Sequence, residues 1–201
     1  LALSPSLSGL GALIRSIYNQ IPDLLLLQSS MFFHDSVNYP LVGQVSGAGL
    51  TLRESAIPVH GGPCLLRDSL CPEVFLIKLT PGLNPEIFDV LLRMHYRGIV
   101  IEAFGAGGLH FIRRNLIEKL HTAARAGISV VVCSQCLYES SDFTLYETGH
   151  KALSQGVIQG YDMTTEAAVT KLMWALGQTD DPEEIRALFA RSLAGERSGG
   201  V

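Results

Sequence analysis

Cysteine is scarce in this sequence, with four residues among 201, at positions 64, 71, 133 and 136. This number is too small for a disulfide scaffold in a chain long enough to fill a core. We therefore expect reduced thiols and a cytoplasmic location. The N-terminus has no basic region followed by an apolar run, so we expect no secretory signal.

Positive charge is also in short supply. Lysine and arginine total 15 against 19 aspartates and glutamates, which gives a formal net charge of −4. Without a basic field, neither nucleic acid nor an anionic membrane is an expected partner. The longest apolar stretches have the length of strands, far below the roughly 20 residues that a membrane helix needs. The 47% hydrophobic content is instead typical of a globular protein with a filled core.

The chain divides into three stretches that differ in composition and in the regularity of their apolar pattern. Residues 1–35 are a divergent or unassigned segment, for which a helix over Leu10–Asn19 and a strand over Leu24–Leu27 is the plainest interpretation. Residues 43–63 are rich in glycine, serine and proline, with a short strand pair around 47–49, and we interpret this stretch as a linker or domain edge. Residues 72–201 are predicted to form a separate, regular domain.

That regular domain alternates short apolar runs with helical patterns. Strands are predicted over Val74–Leu79, Ile99–Phe104 and Ser129–Cys133. Between them, Asn84 is predicted to cap a helix that Gly98 stops, and Gly127 is predicted to end a second helix. Strand–helix–strand spacing of this kind requires right-handed crossovers and parallel strands. The expected fold is therefore α/β, a small open, doubly wound parallel sheet with helices on both faces.

Further elements follow the third strand. They are a helix near Tyr146–Gln155, a strand at Val157–Ile158, an apolar helix over Thr165–Leu176, and a final helix. The last helix is predicted to open with a capping box at 181–184, in which Asp181 is the cap and Pro182 lies in the first turn.

Two sequences are expected at the carboxyl ends of the strands, where open α/β sheets bind ligands. They are EAFGAGG, at 102–108, and SQCLY, at 134–138. The glycines suit either a tight strand-to-helix turn or close approach to an anion, and the sequence does not separate these alternatives. A nucleotide site is less favoured, because the full GxGxxG pattern is missing and no acid for a ribose follows the next strand.

Individual side chains near these ends carry alternatives as well. Glu102 is an acid inside an apolar strand, so it is either buried with a partner or faces a site, and we favour the site. Cys133 and Cys136 form a CxxC pattern at the end of a strand, and no second such pair completes a zinc site. We therefore expect no metal, with Cys133 in the core and Cys136 on a pocket wall.

The strand-end motifs and the order of elements around them resemble the cytosolic-type (type I) L-asparaginases. The matching pieces are SVNYP, KLTPGLNPEIFD, GIVIEAFGAGG, GISVVVCSQCLYES and YETGHKALSQGVIQGYDMTTEAAVTKLMWALGQT, which lie between 36 and 179. The resemblance as a whole covers roughly 36–192. The resemblance implies that 72–201 is the C-terminal domain, with a Rossmann-like three-layer fold, and that 36–71 holds the end of the N-terminal domain and the interdomain linker.

The resemblance also implies a chemistry that this chain does not contain. Asparaginases hydrolyse the side-chain amide of asparagine with a threonine nucleophile in a TGGTI-like turn, helped by a Thr-Asp-Lys set, all in the N-terminal domain. Neither motif occurs in these 201 residues, so no catalytic residue is assigned and the chain alone is predicted to be inactive. We expect no cofactor.

The resemblance implies two roles for the C-terminal half. They are assembly into a homo-oligomer and, in some members, an effector site for asparagine. Motif alignment transfers that site to Glu102, Phe104, Gly105, Ser134 and Cys136. The family's allosteric example has an arginine where Glu102 stands, and an acid there would repel the effector's carboxylate.

We weigh two further hypotheses against the asparaginase half. One is a stand-alone, non-catalytic module that binds a small molecule or scaffolds an oligomer. The other is a nucleotide-binding protein that uses the glycine loop at 105–108.

Overall fold

The computed structural model describes residues 43–47, 49–54, 65–105, 116–136, 140–141, 143, 153–154 and 156–198. All of them belong to one compact unit, Ser36–Val201. The elements predicted at 10–19 and 24–27 lie outside the described residues, as does most of the helix predicted at 146–155. No helix in the described ranges is long and apolar enough to cross a membrane.

A small hairpin precedes the main domain. Its strands, β1 (Gly43–Ser46) and β2 (Gly49–Leu52), pair antiparallel, so the strand pair predicted around 47–49 is confirmed. Leu50 and Leu52 are exposed.

The main sheet has four parallel strands in the order in which they occur along the chain. They are β3 (Val74–Lys78), β4 (Gly98–Ala103), β5 (Ser129–Ser134) and β6 (Ile158–Gln159). The prediction of a small parallel α/β sheet is confirmed. Because the order among these strands never reverses, they provide no switch point of the kind that creates a ligand crevice in doubly wound sheets.

Helices cover both faces of this sheet. On one face lie α1 (Ile87–Arg93) and α2 (Leu116–Arg125), and on the other lie α3 (Thr165–Gln178) and α4 (Pro182–Ala190). Alternation along β4 divides the core: Ile99 and Ile101 pack towards α1 and α2, whereas Val100 packs towards α3 and α4. All three side chains are fully buried. The sheet is thus the middle of three layers.

Three predicted helix ends need correction or confirmation. Asn84 accepts a hydrogen bond from the Glu86 amide at 3.3 Å, but its carbonyl starts a turn of i to i+3 bonds, so α1 begins only at Ile87. Gly98 does not stop α1, because it is the first residue of β4. The chain reverses instead at His95, whose φ is +60°. Gly127, with φ of +89°, follows α2 as predicted.

The capping box before α4 is only half formed. The Asp181 carboxylate accepts from the Glu183 amide at 3.0 Å, as predicted. In a complete capping box, a side chain of the first helical turn would accept a hydrogen bond from the Asp181 amide. Here that amide donates to the Thr179 hydroxyl instead, at 3.1 Å. Pro182 lies in the first turn as predicted.

The segment that leads into β3 is fastened along α3, and we call residues 65–71 the linker. The Trp174 indole N–H donates to the Arg67 carbonyl at 3.0 Å, and the Gln178 amide donates to the Ser69 carbonyl at 2.9 Å. The Cys71 amide adds a bond to the Met173 carbonyl at 2.9 Å. The linker therefore has a fixed path, although residues 65–70 are exposed.

Candidate functional site

The end of β5 meets the end of β4 through the Ser134 hydroxyl. This hydroxyl donates to the Gly105 carbonyl at 2.6 Å and accepts from the Cys136 amide at 2.9 Å. Gly105 has φ of +49°, which turns the chain away from β4. Three of the five predicted site residues are thus brought together at one edge of the sheet.

Gln135 holds the ends of three strands in place. Its backbone amide donates to the Ala103 carbonyl at 2.9 Å. Its side-chain amide donates to the carbonyls of Leu79 and Glu102, at 2.8 and 3.0 Å. Sequence reasoning missed this role. The signal in the sequence was a glutamine directly after the third predicted strand, because a long amide side chain there can reach carbonyl groups at the ends of neighbouring strands.

The Glu102 carboxylate already has two partners on the α3 face of the sheet. One oxygen accepts from the Thr165 hydroxyl at 2.7 Å, and the other lies 3.1 Å from the Lys78 ammonium. The side chain of Glu102 is 16% exposed and that of Lys78 is 61% exposed. Glu102 is therefore largely buried with partners, which was the less favoured of its two alternatives, although it does lie near the end of β4.

Phe104 lies on the other face. Its ring packs against the core cluster that contains the buried residues of α1 and α2. Glu102 and Phe104 therefore point to opposite sides of the sheet, and the five predicted residues do not converge on one point. Lys78, which aligns with Glu102 in the β3–β4 register, joins the set from the neighbouring strand.

The cysteines of the CxxC pattern have different environments. Cys133 is fully buried, as predicted for a core residue, and its pKa is raised to about 12, mainly by burial and further by the negative charge of Glu102. Cys136, which we expected on a pocket wall, is exposed. Among the residues that the structure describes, no group of three His, Cys, Asp or Glu side chains could hold a metal ion.

The glycine loop is described only as far as Gly105. The alternatives left open for it, a tight turn, an anion site or a nucleotide site, concern 105–108 and so extend outside the described residues.

Comparisons with known proteins match this architecture. A sequence model of the glutaminase/asparaginase C-terminal domain matches residues 73–189. An L-asparaginase of Thermococcus kodakarensis is 46% identical over 164 residues, which are 82% of this chain. A glutamyl-tRNA(Gln) amidotransferase component of Thermofilum pendens is 36% identical over 165 residues, 81% of this chain.

A solved structure agrees with the sequence comparisons. The thermostable L-asparaginase from Thermococcus kodakarensis superposes with a TM-score of 0.76 at 44% identity; the match covers 83% of this chain and 50% of that one. The chain spans only part of the curated relatives, 49% of the asparaginase and 36% of the amidotransferase component. From the matched region, the sheet and the helices on its two faces, the chain belongs to the glutaminase/asparaginase C-terminal domain family.

Proposed function

We propose that this chain supplies the non-catalytic C-terminal half of an L-asparaginase, which hydrolyses asparagine to aspartate and ammonia. The observation that carries the proposal is 46% identity to an L-asparaginase over a region that is only 49% of that relative's length. The sequence contains no TGGTI-like turn to provide a threonine nucleophile. Hydrolysis therefore requires a catalytic half from outside these 201 residues.

A chimera tests this role. Residues 65–201 would replace the equivalent half of the Thermococcus kodakarensis enzyme, and ammonia release from asparagine would be compared with that of the 201-residue chain. We expect turnover by the chimera and none by the chain alone, because acyl transfer without its nucleophile loses most of its rate. Turnover by the chain alone, or an inert but folded and oligomeric chimera, contradicts the proposal.

A role in a glutamyl-tRNA(Gln) amidotransferase is the second candidate, since the chain is also 36% identical to a component of that enzyme. A second chimera, built in the same way on the Thermofilum pendens protein, discriminates the two candidates. If only this second chimera is active, the amidotransferase role replaces the first.

Assembly is the contribution that we assign to this half. Three leucines of the linker are 57–84% exposed, Leu65, Leu66 and Leu70. Hydrogen bonds to α3 hold the linker backbone at residues 67, 69 and 71. Exposed apolar residues on an ordered segment favour contact with another protein surface. We expect a homo-oligomer in the complete enzyme and self-association of the isolated chain, and a monomer at all concentrations by light scattering contradicts this. The free cysteines favour a cytoplasmic location.

For effector binding, we propose that asparagine binds at the strand ends at Ser134, Gly105 and Cys136, the three predicted residues that lie together. Glu102 and its partner Lys78 set the charge nearby, whereas Phe104 packs into the core cluster of the other face and is left out of the site. The ion pair with Lys78 offsets the charge of Glu102, so an effector carboxylate meets less repulsion than the sequence alone suggests. The exposed Lys78 ammonium is then the group that attracts it.

Calorimetric titration with L-asparagine tests the effector site. We expect binding to the wild-type chain, a weaker affinity for Lys78→Met and for Ser134→Ala, and no change for Lys119→Met, a lysine on α2 paired with Asp89. No heat with the wild-type chain, or equal affinity in all variants, contradicts the site.

A further inference from the structure

The segment after α4 folds back onto the domain, and we call residues 191–198 the tail. It lies beyond residue 189, where the match to the family model ends. Gly195 has φ of +82°, a backbone conformation that permits a sharp reversal. The residues that follow it, 196 to 198, each contact α3, α4 or the loop between β6 and α3, residues 160–164, which we call the β6–α3 loop.

Glu196 meets a lysine that α3 buries. The Lys171 side chain is 5% exposed and that of Glu196 is 13% exposed. The Lys171 ammonium donates to the Glu196 carboxylate and to the Arg191 carbonyl, the latter at 2.6 Å. The same carboxylate accepts from the amides of Leu193 and Ala194, at 2.9 and 2.7 Å. The tail thus brings a countercharge to Lys171, which would be costly to bury without one.

The ionisation of the pair follows from these contacts. Burial acts to raise the pKa of Glu196, but the hydrogen bonds from Lys171 and from the backbone amides outweigh burial, so this pKa is lowered. The pKa of Lys171 is also lowered, chiefly by burial, and Glu196 offsets this only in part. Within the tail, Glu196 thus acts to raise the pKa of Lys171, whereas the positive charge of Arg197 acts with burial to lower it.

Arg197 and Ser198 hold the β6–α3 loop. The Arg197 guanidinium lies 3.6 Å from the centroid of the Tyr161 ring, and it donates to the Ala190 carbonyl at 2.7 Å. The Ser198 amide donates to the Asp162 carboxylate at 3.0 Å. Cation–π contact and charge-assisted hydrogen bonds therefore act on neighbouring residues of the loop.

The loop in turn holds the connection between β5 and β6. Tyr161 has φ of +56°, which costs energy for a residue with a side chain and persists where contacts enforce it. Its carbonyl accepts from the amide and the hydroxyl of Ser141, at 2.8 and 2.9 Å. Ser141 is fully buried, and its own carbonyl accepts from the Gln159 side chain. Ser141 belongs to the connection that leaves β5 after Ser134, and it lies five residues beyond Cys136.

We propose that the tail is a latch whose release loosens the β6–α3 loop and, through the Tyr161 carbonyl, the connection between β5 and β6. Glu196 anchors the tail to Lys171, and the next two residues contact the loop: Arg197 lies over the Tyr161 ring and Ser198 bonds Asp162. The Tyr161 carbonyl then continues the contacts to Ser141. A partner that gripped the tail would thereby alter the segment that follows the candidate site. This coupling is independent of whether the complete protein hydrolyses asparagine.

Amide hydrogen exchange of the full chain, followed residue by residue by NMR, tests the latch. Glu196→Gln removes the countercharge at nearly constant shape. We expect exchange at Ser141, at 161–163 and at 193–194 to accelerate at least about tenfold, while Ile99 and Ile101 in β4 keep their rates. The matched control is Asp89→Asn, which neutralises an acid paired with Lys119 between α1 and α2 and should leave all of these rates unchanged.

Arg197→Lys provides a second variant if Glu196→Gln does not fold. It keeps the charge but loses the planar guanidinium over Tyr161, so the same residues should accelerate by a smaller factor. Faster exchange confined to the tail, with Ser141 unchanged, would overturn the latch. An equal acceleration in β4 would do the same, because it would mark a general loss of stability rather than coupling.

Discussion

Replacing Gly160 with alanine would test how tightly β6 approaches β5. A Cβ at this position would collide with the Cys133 thiol and would lie 2.8 Å from the Val132 carbonyl oxygen and 3.3 Å from the Cys133 Cα. The Gly160 amide also donates to that carbonyl at 2.8 Å, which fixes the backbone on this side. Moving β5 and β6 apart would break this hydrogen bond. The Cys133 side chain is fully buried, so it cannot relieve the collision by turning into solvent.

The expected cost combines two contributions. Overpacking of a filled core costs about 1–3 kcal/mol, and weakening of the Gly160–Val132 hydrogen bond adds about 1 kcal/mol. We therefore expect Gly160→Ala to lower the free energy of unfolding by about 2–4 kcal/mol. Urea denaturation followed by far-UV circular dichroism measures this as a lower midpoint at constant slope.

Two further variants make the reasoning refutable. Gly82→Ala is the matched control, because a Cβ there would contact nothing within 4 Å, and it should stay within about 0.5 kcal/mol of wild type. Adding Cys133→Ala to Gly160→Ala removes the thiol but not the carbonyl contact, so the double-mutant cycle should give a favourable coupling of about 1 kcal/mol or more. A Gly160→Ala chain as stable as wild type, or strictly additive effects in the cycle, would refute the close approach.

Other predictions concern individual groups. In a Cys64→Ser background, a thiol reagent at mildly alkaline pH should label the exposed Cys136 quickly. It should label Cys133 only on unfolding, because Cys133 is buried and its pKa is raised to about 12. Equal labelling rates at the two thiols would contradict this. Because the pKa of Glu196 is lowered from its ordinary 4.5, its stabilisation is present above that pH and is lost as pH falls through the folded-state pKa, so Glu196→Gln should flatten the acid side of the urea-midpoint profile. Gln135→Ala should cost about 1–3 kcal/mol, since it removes the donor shared by the Leu79 and Glu102 carbonyls; an unchanged midpoint would contradict its bracing role.

The sheet was predictable because its strands are buried on both faces. Strands covered by helices become continuous apolar runs, so the predictions for β3 and β5 differ from the structure by one residue at one end, and that for β4 by one residue at each end. Helix ends were less predictable. The start of α1 depends on a turn after Asn84, and its end on the positive φ of His95, and neither has a distinctive pattern in the sequence.

The candidate site was predictable only in part. Sequence placed Ser134, Cys136 and Gly105 at the strand ends, but it did not reveal that the Glu102 carboxylate is shared between Lys78 and Thr165. Such partners come from a different strand and from a helix 63 residues later, and only the fold brings them together. The buried pair of Lys171 and Glu196 was missed for the same reason.

The fastened linker has a consequence for any polypeptide joined in front of it. Because hydrogen bonds to α3 hold Arg67, Ser69 and Cys71, these residues move with the domain and do not contribute to the flexible length of the connection. Each immobilised residue shortens the maximum distance that the joined polypeptide can span by about 3.4 Å. In a fusion joined directly to residue 65, the point from which the added polypeptide departs is therefore near Leu66 rather than at the first residue of β3. The local concentration of a tethered module around this domain is set from that anchor.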